Sequence, residues 1–250
     1  MDNTSPSPTV LCKDDNGIRL LTMNRPDKLN ALNTDLTRLL LAGLQGAAED
    51  PDIRVIVLTG AGRGFCAGAD VTEFKHLSAD NPREIKARGD LTMRLHASFV
   101  TIDKPIICAI NGVAMGGGCG LAVAGDMAIM AEGAKLGYPE VKRGAVPAVV
   151  LANLVRQLGP KLAFELVMYG EHVSAEKALA LGLVNEVVAD DQLLDRALER
   201  ARVLAEASPD AVSATKRLFY RVSALPLLPA LEVARDANII MRGYAIRGTV

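Results

Sequence analysis

Apolar and polar positions along the chain fall into two kinds of run. Short apolar, β-branched stretches at 55–59, 106–110, 127–130 and 184–188 have the pattern of strands buried on both faces. Residues 9–12 and 18–23 predict two further strands joined at Asp14-Asp15-Asn16-Gly17, because Asn-Gly between apolar runs is a hairpin signal. Between these runs the apolar spacing turns helical. Leu36, Leu39, Leu40 and Leu44 predict a helix to residue 48, capped by Asn33 or Thr34. The charged, amphipathic stretch 71–101 predicts helix around a loop. Helices are expected at 147–155, 161–169 and 174–181, the last capped by Ser174, and then at 192–206, 209–220 and 226–241. Strands therefore alternate with helices to about residue 190, and helices alone follow. That order predicts an α/β core over 1–190 and a C-terminal helical region over 191–250.

Two glycine stretches interrupt the pattern. The first follows the strand at 106–110: Gly116, Gly117 and Gly118 lead into a helical run at 121–124. The first amides of a helix have no partner inside it and carry the positive end of its dipole. A glycine turn leaves such amides bare for an anion or a developing oxyanion. The alternative is tight strand–helix packing with no ligand. The second stretch, Gly60-Ala-Gly-Arg-Gly-Phe-Cys-Ala-Gly-Ala-Asp70, does not fit a dinucleotide fingerprint, since Phe65 stands where the third glycine belongs. It also lacks the Gly-Lys-Ser/Thr of a P-loop. The loop 24–33 holds Arg25, Lys28 and three asparagines, a polar cluster that faces a phosphate or is simply solvated.

Composition narrows the function classes. The 250 residues carry 28 Lys plus Arg against 29 Asp plus Glu, so no global basic field attracts nucleic acid or an anionic membrane. Tryptophan is absent, which weakens base stacking as well. Cys12, Cys66, Cys108 and Cys119 form no C-x-x-C pair, and His76, His96 and His172 are scattered, so neither a zinc site nor a disulfide framework is expected. Residues 1–8 are polar and lack a signal-peptide pattern, and no apolar run is long enough for a membrane helix. The expectation is a reducing compartment, most simply the cytoplasm.

Four motifs in order carry a resemblance. Asn24-Arg-Pro-Asp-Lys-Leu-Asn-Ala-Leu-Asn33, Gly64-Phe-Cys-Ala-Gly-Ala-Asp70, the run from Lys104 to Cys119 and Gly137-Tyr-Pro-Glu140 resemble the enoyl-CoA hydratase/isomerase (crotonase) family over nearly the whole chain. The resemblance implies a spiral of ββα turns, C-terminal trimerisation helices, homotrimers or hexamers, and an acyl-CoA thioester substrate. The coenzyme A belongs to that substrate, so no separate cofactor is implied, and no metal. The family's oxyanion hole falls on the backbone amides of Ala69 and Gly117. Its CoA-binding surface falls on Lys28, Ala31, Ala67, Gly68, Asp70, Val71 and Gly116. Of the two glutamates that flank a water in the family's hydratases, one falls on Glu140. The other falls on Gly120, which transfers no proton.

That departure bears on the reaction. Hydration needs a water deprotonated as it attacks C3 and a proton delivered to C2. Moving a double bond from C3–C4 to C2–C3 needs only a shuttle between C2 and C4, which one carboxylate serves. The resemblance implies an enoyl-CoA hydratase first, since relatives with glycine at this place are assigned there. A Δ3,Δ2-enoyl-CoA isomerase is second and an inactive CoA-binding scaffold third. A loop acid such as Glu73 is the expected helper if Glu140 needs one. Asp126 is expected to be structural, and Lys216 to lie on a solvated helix face.

Overall fold

The computed structural model describes residues 7–74 and 81–246. The expectations for Lys75, His76, residues 1–6 and residues 247–250 lie outside them. The chain opens on a hairpin of β1 (Val10–Asp15) and β2 (Ile18–Met23). Asn16 and Gly17 both have positive φ, as the two-residue turn between twisted strands requires. Helix α1 (Thr34–Glu49) follows, capped by the Asn33 side chain, which accepts from the Leu36 amide. Its buried stripe of Leu36, Leu40, Leu44 and Ala47 covers the hairpin strands.

From there the chain winds between two sheets. β3 (Val55–Gly60), β5 (Ile106–Ile110) and β7 (Met127–Ala131) pair in parallel in a six-stranded sheet that ends on β10 (Glu186–Val188), in the order β1-β2-β3-β5-β7-β10. Each is followed by a three-residue strand that leaves that sheet: β4 (Gly64–Cys66), β6 (Val113–Met115) and β8 (Lys135–Gly137). These build a second sheet, closed by β9 (Val173–Ser174), in the order β4-β6-β8-β9. Helices follow the turns: α2 (Val71–Phe74) and α3 (Pro82–Thr101) after the first, the short α4 (Gly117–Ala122) after the second, and α5 (Ala148–Tyr169) after the third. This is the expected ββα spiral. The helices expected at 147–155 and 161–169 are the two arms of α5, separated by the non-helical backbone of Gly159 (φ 73), just before Pro160.

Beyond α6 (Ala175–Ala180) and β10 (Glu186–Val188), helix α7 (Leu193–Ala205) lies past the boundary expected at residue 190 yet packs on the main sheet. Leu193, Ala197 and Ala201 are fully buried there, their small size letting the helix approach β3, β5 and β7 closely. α8 (Pro209–Ser223) and α9 (Leu227–Ile246) pack mainly on each other. A buried ion pair ties α8 to the core. Lys216 Nζ donates to Asp126 at 2.7 Å and to the Lys104 carbonyl at 2.9 Å, and the Tyr220 hydroxyl donates to the other Asp126 oxygen at 2.8 Å. Asp126 also accepts from the Ile106 amide, so it is structural, as expected. Lys216 is buried, which corrects the expectation of a solvated face. No described helix is long and apolar enough to cross a membrane.

Candidate active site

The site forms where β4, β6 and β8 end together. Pairing of Met115 with Gly137, and a 2.8 Å bond from the Gly116 amide to the Gly137 carbonyl, set the start of α4 beside the turn after β8. The three glycines at that start are constrained differently. Gly116 has φ 54, a conformation L side chains avoid, and a Cβ there would lie 2.8 Å from Glu140 Oε1. Gly118 packs on β4: a Cβ there would lie 2.1 Å from the Cys66 carbonyl oxygen. Gly117 has neither constraint; the nearest atom to a Cβ would be Leu32 Cδ1 at 3.8 Å, and the residue is only half-buried. Bare amide and tight packing, alternatives in the sequence, hold for different residues of one triplet.

The other wall is the turn after β4. Gly68 (φ 94) lets the backbone close on α4: a Cβ there would be 2.7 Å from the Met115 carbonyl oxygen and 3.7 Å from the Gly117 nitrogen. The Leu32 amide donates to the Gly68 carbonyl at 2.7 Å, and the Asp70 amide donates to the Leu32 carbonyl at 3.1 Å. With its neighbours on either side engaged by Leu32, Ala69 turns its own amide the opposite way. Among the described residues neither the Ala69 nor the Gly117 amide donates a hydrogen bond. Two segments nearly fifty residues apart in sequence (69 and 117) thus present unengaged amides on adjoining turns.

Glu140 faces this wall. Its carbonyl accepts from the Arg143 and Ala145 amides, which pins the backbone, and its carboxylate returns to Gly116. Glu140 Oε2 is sealed without a partner among the described residues. Burial pushes the carboxyl above the ordinary glutamate range, against the opposing pull of its own backbone amide and of Arg143. A carboxyl so placed is suited to take up and return protons. Tyr138 is buried beside the Cys119 thiol, and burial pushes the thiols of Cys66, Cys108 and Cys119 up to about 12, so they are not nucleophiles.

The place of a second acid is filled. A Cβ on Gly120 would lie 2.4 Å from Val150 Cγ1 and 3.0 Å from His96 Cε1. Glu73 does not take over: both its oxygens accept from the Thr34 amide, at 2.9 and 2.8 Å, capping α1. That corrects the expectation of a helper acid there. His96, passed over in the sequence as one of three scattered histidines, is 7% exposed, and its Nε2 has no partner among the described residues. Burial pushes its pKa down to about 4, so it is neutral near pH 7. The available signal was a polar residue inside the apolar stripe of Leu95 and Phe99.

The residues expected to bind coenzyme A differ in exposure: Lys28 and Val71 are exposed, Ala31 and Ala67 half-buried, and Gly68, Asp70 and Gly116 buried. Ala67 donates its amide to the Leu29 carbonyl, and Ala31 accepts from Arg25. Asp70 is buried, its carboxylate taken by the Thr72 hydroxyl (2.6 Å) and by Arg25 (2.9 Å), which hold it below the usual carboxylate range. Asn30 is fully buried and donates to the Ala61 and Gly64 carbonyls. The polar cluster of the 24–33 loop is therefore internal bracing, with Lys28 at its exposed edge. No group of three or more His, Cys, Asp or Glu among the described residues is arranged to hold a metal.

Residues 13–239 match the family model described as enoyl-CoA hydratase/isomerase. The 2,3-dehydroadipyl-CoA hydratase of Escherichia coli K12 is 38% identical over 222 residues, covering 88% of this chain and 84% of that one. Among solved structures, an enoyl-CoA hydratase from Mycobacterium smegmatis superposes with a TM-score of 0.87 at 31% identity, over 93% of this chain and 90% of its own. A monofunctional enoyl-CoA isomerase from the same organism superposes with a TM-score of 0.75 at 30% identity, over 88% and 95%.

Proposed function

The chain belongs to the enoyl-CoA hydratase/isomerase family, and from that premise we propose that it hydrates a 2-enoyl-CoA thioester with Glu140 as its proton carrier. The observation that carries this reading is the Glu140 carboxylate seated against Gly116, at the start of the helix whose first amide is unengaged. In the proposed complex the thioester oxygen lies between the Ala69 and Gly117 amides, which form the oxyanion hole. Glu140 takes a proton from a water whose oxygen bonds to C3. The C2–C3 π electrons move toward C1, placing enolate charge on the oxygen that the amides hold. The enolate re-forms its carbonyl as C2 takes the proton from Glu140. One carboxylate moves one proton from water to C2, so the balance closes without a second acid. Loss of one such amide typically costs about 3 kcal/mol of transition-state stabilisation.

Coenzyme A is proposed to lie along Lys28, Ala31, Ala67, Gly68, Asp70, Val71 and Gly116, with Lys28 the cation for its phosphates. Asp70 contributes through its backbone, since its carboxylate is spent on Arg25 and Thr72. A homotrimer or a pair of trimers is proposed as well. Leu227, Leu228, Leu231, Ile239 and Ile240 leave α9 with apolar side chains in solvent, as an interface does. Three sealed thiols suit a reducing compartment, and the cytoplasm is the proposed location.

The space at Gly120, closed by Val150 and His96, favours a second reading. An isomerase needs no held water, only Glu140 moving a proton from C2 to C4 of a 3-enoyl-CoA. Crotonyl-CoA and a 3-enoyl-CoA separate the two. Loss of conjugated absorbance from crotonyl-CoA supports the hydratase. No loss there, with a gain from the 3-enoyl-CoA, assigns the isomerase. No change with either refutes both.

A further inference from the structure

One side chain that the proposed reaction does not use stands against the site with nothing to bond. His96, on α3, is buried, and its Nε2 has no partner among the described residues. Its Cε1 lies 3.0 Å from where a Cβ on Gly120 would be. A half-turn of the ring about Cβ–Cγ exchanges Cε1 and Nε2, and so sets the nitrogen at that same place. The Gly120 amide donates to the Gly116 carbonyl at 2.9 Å, and Gly116 is the residue that the Glu140 carboxylate touches. The imidazole thus lies against Gly120 and the carboxylate against Gly116, at the start of one short helix.

We propose that His96 holds the attacking water for Glu140, from the side on which Gly120 leaves no acid. The inference rests on the hydratase reading. A neutral imidazole offers one N–H and one lone pair, so it orients water without changing its own proton count. Glu140 still takes the proton from the water and delivers it to C2, while the water oxygen bonds to C3. The absence of a Cβ at position 120 is what brings the ring close enough. His96 then matters for adding water and not for moving the C2 proton.

The test compares His96→Phe and His96→Gln with the wild type in two reactions. One is hydration of crotonyl-CoA. The other is exchange of the C2 protons of butanoyl-CoA in heavy water, followed by NMR, which uses Glu140 and the two amides but no attacking water. His96→Phe is expected to lower hydration kcat by about a hundredfold, the scale of a misplaced reactant, and to leave the exchange rate within about threefold. His96→Gln, which keeps a hydrogen-bonding group, is expected to recover part of the loss. If His96→Phe fails to fold, the split between the two reactions in His96→Gln decides. Full hydration in the variants overturns the proposal, and so does an equal loss in both reactions, which marks a structural role. A wild-type protein that exchanges C2 protons but does not hydrate crotonyl-CoA overturns the hydratase reading instead.

Discussion

Replacing His96 by leucine separates the stability of this site from its chemistry. In the folded protein burial holds the imidazole pKa at about 4, against 6.5 when exposed. Below pH 6.5 the unfolded chain takes up a proton that the folded chain refuses. Stability attached to this residue is therefore fully present above pH 6.5 and drains away as pH falls toward 4. Between pH 7 and pH 5 the loss is about 2 kcal/mol, from 1.36 kcal/mol per pKa unit. Leucine cannot titrate. The variant is thus expected to lose about 2 kcal/mol less than the wild type on going from pH 7 to pH 5. Urea titrations at the two pH values measure this. With a slope of about 2 kcal/mol per molar, the wild-type midpoint falls by about 1 M more than that of the variant. Carboxylates that titrate in both proteins cancel in the comparison. Equal losses in the two proteins would refute the claim that His96 is buried and neutral.

Three other perturbations probe the surroundings. Asp126→Ala strands the Lys216 ammonium and the Tyr220 hydroxyl under α8. It should cost about 3–5 kcal/mol in urea unfolding, and a cost below about 1 kcal/mol would contradict a buried hub. Gly116→Ala forces a methyl to 2.8 Å from Glu140 Oε1 at a positive φ. It should cut kcat by about ten- to a hundredfold; unchanged kcat would remove Gly116 as the seat of the carboxylate. Arg143→Gln removes a charge that pulls the Glu140 pKa down. The proton-accepting carboxylate is then lost at higher pH, so the acid limb of kcat/KM should move up, and a limb that stays or moves down counts against the assignment.

How much could be read in advance depended on where each side chain's partners lie. β3 and β5 were legible because strands buried on both faces are uniformly apolar, and α1 because its cap and its stripe are local. β4, β6 and β8 were missed. Three residues with a glycine at or beside one end show no period, and only pairing between successive turns of the spiral makes them strands. Arg25 and Lys216 looked solvent-facing because their partners, Asp70 and Asp126, are remote in sequence. Glu140 and the two amides were found by motif. His96 was not, since what singles it out is Gly120 and Val150 on two other helices.

The most direct measurement is turnover of crotonyl-CoA by Glu140→Gln beside its affinity for the same thioester. Glutamine keeps the shape of the side chain and cannot accept the proton, so hydration should fall by at least about a hundredfold. The dissociation constant should stay within a few-fold, because the Ala69 and Gly117 amides and the Lys28 edge are untouched. Hydration at the wild-type rate in that variant would contradict the account, because among the described residues no other carboxylate is placed at the start of α4 to move the proton.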